Sequence, residues 1–374
     1  MKNTDDLKYL FITRTLTGGG AERFVSTFAS FLAEHGYNIH ILTYEISAKD
    51  YPLSDKVTLH VMPQVEDSIS GKFLRIARMQ QELKKINADV LIPFIDTVVV
   101  CTYLANLTLG KKFVYTVRNS PWHDDAGRFS KFMRKIIAKT ADAIMLQNRE
   151  QESFFSASYR KRIYIVPNPV AEKFRMCKKE NYAETITRLT SVGRLHVQKN
   201  FPLLISAVKH IAAENPEVRL EIYGEGDEKK SLKALIEQQN LSSVCRLMGR
   251  TADVEGVLRE TDLFVMSSDY EGMPNALIEA LAMGVPSISS DCRTGPRSLM
   301  EDGQTGLLFE TGKLESLQEK LAWALNHPQL MNQMGKAARE NVLDTYRIEK
   351  TMSSFFAMIG GIYGNEQIGD TCEK

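Results

Sequence analysis

The sequence predicts an α/β protein built as two doubly wound parallel-sheet domains, and three observations predict it. Short apolar runs bounded by polar residues recur along the 374 residues, as expected of strands buried on both faces. Stretches with helical apolar spacing separate most of them, and strand–helix alternation implies a parallel sheet covered on both sides. Pro167-Asn168-Pro169 then breaks the rhythm, which afterwards restarts. Neither proline can donate to a ladder, so the domain boundary is expected there. The expected domains are 1–170 and 171–345, followed by a helix and tail over 346–374.

In the first half, strands are expected at 7–13, 38–44, 57–62, 89–95, 111–117, 142–147 and 162–166. Helices fall between them near 21–35, 72–86, 97–108, 128–140 and 149–156. In the second half, strands are expected near 187–193, 218–224, 244–248, 262–267, 285–290 and 305–309. Helices are expected at 201–213 and 275–283, with 314–326 and 328–344 closing the domain. Ile348 to Ile359 reads as one more helix, and the tail from Gly360 to Lys374 is expected to fray.

Composition fits a globular protein, with 43% hydrophobic and 25% charged residues. The five cysteines, Cys101, Cys177, Cys245, Cys292 and Cys372, are dispersed and odd in number. That argues against a disulfide framework or a zinc site and for a reducing cytoplasm. Met1-Lys-Asn-Thr-Asp-Asp6 runs straight into a strand, and no apolar run approaches the roughly 18 residues of a membrane span. Neither a signal peptide nor a span is expected, and no nucleic-acid partner. The net charge of +1 hides an asymmetry: residues 1–170 hold 23 Lys+Arg against 17 Asp+Glu, and the remainder 24 against 29. Basic residues alternate with apolar ones over Lys72–Lys85 and Arg128–Lys139. Such helices either cover a sheet with a solvated basic face or lie on an anionic membrane surface.

Two carboxylates eight positions apart mark the candidate site. The apolar run Asp262 to Ser267 reads as a buried strand, and Pro274 suits the first position of a helix that stops before Gly284. The loop and helix start, Gly272, Met273, Pro274, Asn275 and Ala276, would form an anion site through backbone N–H groups and the helix dipole. Glu279 lies about 7 Å along that helix at 1.5 Å per residue, within reach of a nucleotide's ribose, while Glu271 stays outside the helix and free to face the other side of the phosphates. The plain structural reading is a capped surface helix. Arg194 and Lys199 follow a second strand and would grip a diphosphate, the arginine as a fork and the lysine as a compact charge. Gly18, Gly19 and Gly20 open the first helix and would let a ligand approach the backbone, although a tight turn alone would also use them. The loop lacks the G-x-G-x-x-G dinucleotide fingerprint. Tyr223-Gly224-Glu225-Gly226 is a comparable turn that could wall the nucleotide pocket or serve structure only.

The glycine loop, Ser191-Val-Gly-Arg194 with Lys199, Tyr223-Gly-Glu-Gly226 and Glu271-x7-Glu279 resemble, in kind and chain order, the retaining glycosyltransferases of family 4. The resemblance covers about residues 7–346 and is closest to bacterial enzymes that extend lipid-linked or capsular oligosaccharides. It implies the GT-B fold, two Rossmann-like domains facing across a cleft, with the last helix returning to the first domain. It also implies a nucleotide-sugar donor, UDP-linked by expectation, and a lipid-linked or oligosaccharide acceptor. No cofactor or metal is expected, since no Asp-x-Asp occurs in the chain. Arg250, after another strand, stands where family members hold the base. Family members often carry a histidine after the strand ending at Val117. Here Arg118 and Asn119 occupy that place and His123 comes later, so His123 and Asn119 are both candidates to face the donor sugar. The cysteine usage and the basic first domain together lead to the expectation of a cytoplasmic enzyme, peripheral on the inner face of the cell membrane. Open alternatives are a sugar-nucleotide epimerase of the same fold and a non-catalytic sugar-nucleotide-binding subunit.

Overall fold

The computed structural model of the chain describes residues 4–48, 50–63, 69–123 and 128–364. Two compact units divide the chain, one of Met1–Pro169 with Ile348–Lys374 and one of Val170–Arg347. The first unit runs β1 (Lys8–Ile12), α1 (Gly20–Glu34), β2 (Asn38–Thr43), β3 (Thr58–Val61), α2 (Ile69–Ile86), β4 (Val90–Pro93), α3 (Asp96–Asn106), β5 (Lys112–Thr116), α4 (Arg128–Thr140), β6 (Ala143–Leu146) and β7 (Ile163–Ile165). Its seven strands are parallel in the order β3-β2-β1-β4-β5-β6-β7. Central strands such as β4 and β6 are buried at every position, whereas the edge strand β3 is mostly exposed. Continuous apolar runs are what two covered faces require.

Helices α2, α3 and α4 cover one face of this sheet, where Met79, Leu83, Val99, Met133 and Ile137 share a core with Leu10, Leu91 and Ile144. The other face is covered by α1 and by a helix from the far end of the chain. The second unit runs α5 (Glu172–Met176), β8 (Arg188–Val192), α6 (Phe201–Glu214), β9 (Arg219–Tyr223), α7 (Lys229–Gln238), β10 (Cys245–Gly249), α8 (Val254–Glu260), β11 (Leu263–Met266), α9 (Asn275–Ala282), β12 (Ser287–Ser290), α10 (Pro296–Leu299), β13 (Leu307–Phe309), α11 (Leu314–Asn326) and α12 (Pro328–Thr345). Its six strands are parallel in the order β10-β9-β8-β11-β12-β13. The chain then returns to the first unit as α13 (Ile348–Tyr363). There Phe355 stacks on Phe11 and meets Phe28 and Tyr9 edge-on, and Phe356, Met358 and Ile359 complete the same core.

Several local expectations differ from the structure. The residues near 149–156 form two 3-10 segments, Arg149–Phe154 and Ala157–Arg162, because Asn148 and Ser156 each cap a new start. Helix α13 continues through residues 360–363, expected to fray, and the rest of that tail, with Cys372, lies outside the described residues. The other four cysteines are free. Among the described residues, no helix is long and apolar enough to cross a membrane.

Candidate active site

Doubly wound sheets leave a crevice at the carboxyl ends of the two strands where the strand order reverses. In the second unit those strands are β8 and β11, which are neighbours. Their following loops carry Arg194 with Lys199 and Glu271 respectively, and several bonds stitch the two loops together. Asp269 N–H donates to the Gln198 carbonyl at 2.9 Å, Gln198 Nε2 to the Tyr270 carbonyl at 2.8 Å and Ser267 Oγ to the Lys199 carbonyl at 2.8 Å. Asn200, in the left-handed region at φ 45°, accepts from Leu203 N–H to start α6 and donates to Asp269 at 2.8 Å.

This stitching brings Lys199 Nζ to 2.6 Å from Glu271 Oε1. The expectation that Glu271 stands free is therefore corrected. It is 6% exposed, its carboxylate is matched by Lys199, and its own carbonyl accepts from Thr294 Oγ1. Burial explains the pairing, since a desolvated carboxylate must find a counter-charge. Lys199 is thus a charge held in place by Glu271, and Arg194 supplies the excess. The Arg194 side chain is exposed and makes no hydrogen bond or ion pair to the described residues. The group Arg194–Lys199–Glu271 carries one net positive charge at the crevice. Burial, with the Glu271 carboxylate adding to it, pushes the nearby Cys292 thiol up to about 12, far from a thiolate nucleophile at neutral pH.

Pro274 is the N-cap of α9, at φ −77° and ψ 104°, one position earlier than expected. Its carbonyl accepts from both Leu277 and Ile278 at 3.1 Å, so the helix proper begins at Asn275. Gly272 and Met273 are buried before it, and Asn275 and Ala276 are partly exposed on its first turn. Glu279 is the fifth residue of α9 and is 5% exposed.

The glycine turns have different reasons. Gly224 stands at φ 153°, and a Cβ there would sit 1.8 Å from the Gly193 carbonyl oxygen. The β9 loop is pressed onto the β8 loop, with Leu195 N–H donating to the Glu225 carbonyl and Gly224 N–H to the Gly249 carbonyl, both at 2.9 Å. Gly224 is thus required by the protein's own backbone, and it sets the path of the chain at Arg194. Arg250, past the end of β10, is exposed. In the first unit, Gly18 turns the chain at φ 89° and Gly19 caps α1, which begins at Gly20. The Glu22 carboxylate occupies the space a side chain at Gly19 would need, a placement the helix dipole favours. Asn119 and His123 share one loop after β5 and both are exposed. Asn119 Oδ1 accepts from Ser120 N–H at 2.8 Å, and its carbonyl accepts from the buried Gln151 at 3.0 Å. Asp124 and Asp125 of that loop lie outside the described residues. Sequence reasoning missed Gln198 and Thr294, which hold the Glu271 loop from both sides and carry no motif of their own.

Comparison with known proteins agrees with this architecture. Residues 173–341 match the family model "Glycosyl transferases group 1", and residues 16–148 match "Glycosyl transferase 4-like". The chain is 23% identical over 344 residues to the GalNAc-alpha-(1->4)-GalNAc-alpha-(1->3)-diNAcBac-PP-undecaprenol alpha-1,4-N-acetyl-D-galactosaminyltransferase of Campylobacter jejuni, covering 90% of this chain and 94% of that one. It is 31% identical over 235 residues to the UDP-Gal:alpha-D-GlcNAc-diphosphoundecaprenol alpha-1,3-galactosyltransferase of Escherichia coli, covering 59% and 60%. Among solved structures, Anabaena Alr3699/HepE in complex with UDP and glucose superposes with a TM-score of 0.79 at 16% identity, covering 95% of this chain and 99% of that one. Both halves match glycosyltransferase models and both sheets have the parallel doubly wound order, so the chain belongs to the glycosyltransferases of the GT-B fold.

Proposed function

We propose that the chain is a retaining, metal-independent family 4 glycosyltransferase that moves a hexose or N-acetylhexosamine from a UDP-linked donor. The acceptor is a hydroxyl of a growing surface glycan carried on a polyprenyl diphosphate. The observation that carries this reading is the Arg194–Lys199–Glu271 group at the β8/β11 crevice. Breaking the bond between the anomeric carbon and the β-phosphate oxygen leaves negative charge on that oxygen. Arg194, Lys199 and the first turn of α9 supply fixed positive charge where it develops. The acceptor hydroxyl forms the new bond on the same face, and its proton passes to the departing phosphate oxygen. Glu271 keeps the Lys199 ammonium aimed and reaches donor-sugar hydroxyls, while Glu279 holds the ribose. Asn119 and His123, on the loop after β5, are the two candidates to face the donor sugar. The relatives' lipid-diphosphate substrates and the UDP complexes of HepE support the choice of donor and acceptor.

Membrane attachment is part of the same proposal. On α4, Phe129 and Phe132 are 63% and 61% exposed on a helix that also carries Lys131, Arg134, Lys135 and Lys139, and on α2 Phe73 is 72% exposed. Exposed aromatic rings among cations suit an anionic lipid surface at the inner face of the cell membrane. The side chains of Lys72 and Arg128 lie outside the described residues.

The test is UDP release from a panel of nucleotide sugars, in EDTA, with and without a polyprenyl-diphosphate-linked oligosaccharide. Acceptor-dependent release over many turnovers is expected. Conversion of the donor sugar without acceptor would favour an epimerase, and binding without turnover a non-catalytic subunit.

A further inference from the structure

The first sheet also has a crevice where its order reverses, between β1 and β4. Phe94 follows β4, and Phe24 lies near the start of α1, the helix that follows β1. Arg118, just past β5, lays its guanidinium carbon 3.8 Å from the centre of the Phe24 ring and 5.0 Å from that of Phe94. Stacking on two aromatic faces fixes the plane of the fork. Its polar contacts are long: 3.4 Å to the Val166 carbonyl, 3.3 Å to Asn168 Oδ1 and 3.8 Å to Met145 Sδ. The Nε–H is buried with no partner. No carboxylate pairs with this cation among the described residues. Its polar surroundings are neutral, with Asn168 also accepting from the buried Gln147 amide at 3.1 Å.

We propose that Arg118 is the seat of a phosphate or diphosphate oxyanion at the β1/β4 crevice of the first unit. A guanidinium drawn out of water without a counter-charge is costly, and the counter-charge missing from the chain is supplied by substrate. Burial pushes the Arg118 pKa down to about 9, so the group remains a cation at neutral pH. The flat fork matches the two-oxygen edge of a phosphate better than a lysine would. Two substrates of the transferase reading, on which the identity of the anion rests, carry such a group: the donor's diphosphate and the lipid diphosphate of the acceptor.

Titration calorimetry of the full chain distinguishes them, using inorganic pyrophosphate and UDP on the wild type and on Arg118→Met, which keeps an apolar stem over Phe24. If the seat serves the acceptor, pyrophosphate binds the UDP-saturated wild type and binds Arg118→Met at least about tenfold more weakly, with UDP affinity unchanged. If the seat serves the donor, Arg118→Met loses about tenfold or more in UDP affinity instead. Arg118→Met that melts like the wild type and binds both ligands normally would overturn the proposal. Should that variant not fold, the neutral Arg118→Gln carries the same readout, and wild-type affinities in it are equally decisive. A wild type that binds pyrophosphate through Arg118 but never UDP keeps the seat and removes the nucleotide donor of the preceding section.

Discussion

The Lys199–Glu271 pair makes a prediction in which stability and activity part company. The pair spans 2.6 Å, with side-chain exposures of 18% and 8%. Removing one partner of a buried pair leaves an uncompensated charge and costs about 3–5 kcal/mol, whereas replacing both by apolar residues is often neutral. Some exposure at Lys199 places Lys199→Met and Glu271→Met at the lower end, about 3 kcal/mol each. In a unit of this size that is a loss of about 6–12 °C in melting temperature. The double variant should recover most of that loss, a coupling well above the roughly 0.5 kcal/mol of independent sites. Its transfer activity should stay at least about 10²-fold below wild type, because Lys199 acts on the departing diphosphate and Glu271 on the donor sugar. Urea unfolding with the UDP-release assay reads both quantities. Single variants as stable as the wild type would show that the pair does not form. A stable and fully active double variant would show that the pair is architecture only.

Further outcomes follow from other parts of the molecule. Arg194→Ala should lower kcat/KM by about 10²-fold with no change in melting, since the side chain is exposed and makes no hydrogen bond or ion pair to the described residues; normal turnover would remove it from the site. Glu279→Gln should weaken UDP binding by about 1–2 kcal/mol in calorimetry, while Glu271→Gln should lose turnover more than UDP affinity, and equal losses would show the ribose and sugar ends to be reversed. Phe355→Ala should cost about 3–5 kcal/mol, read as early unfolding of the first unit, because this α13 side chain is wholly buried against β1 and α1. His40 accepts or donates to His60 at 2.8 Å, and burial first, then the charge of His60, lowers its pKa from 6.5 to about 4. The folded state therefore disfavours the protonated form: this stability is fully present above about pH 6.5 and is lost as pH falls through 4. His40→Asn should flatten the pH dependence of unfolding in that window, and an unchanged slope would contradict the linkage.

What the sequence made legible was whatever depends on local pattern. Leu263–Met266 and Ala143–Leu146 are continuous apolar runs and were expected as buried strands. Leu314–Asn326 and Arg128–Thr140 fall where their periodicity placed them. Helices with thin signals escaped notice: α7 buries only Leu232 and Ile236, a stripe too narrow to stand out among its polar residues. Helix α8 has seven residues and rests on the Asp253 cap, and α5 has five. The site divides the same way. Each charged candidate could be named from its loop, but the pairing of Lys199 with Glu271 could not. It depends on β8 lying beside β11, a long-range choice that no local spacing encodes. Gly224 was legible as a turn, yet the reason for glycine there is a carbonyl of another loop.

Same-face transfer driven by the chain's own cations is the core of the proposed mechanism. The most direct measurement is proton NMR of the anomeric coupling in the product made from an α-linked UDP-sugar and a polyprenyl-diphosphate-linked acceptor in excess EDTA. An α-linked product at an undiminished rate is expected. A β-linked product, or none until a divalent cation is restored, would contradict it.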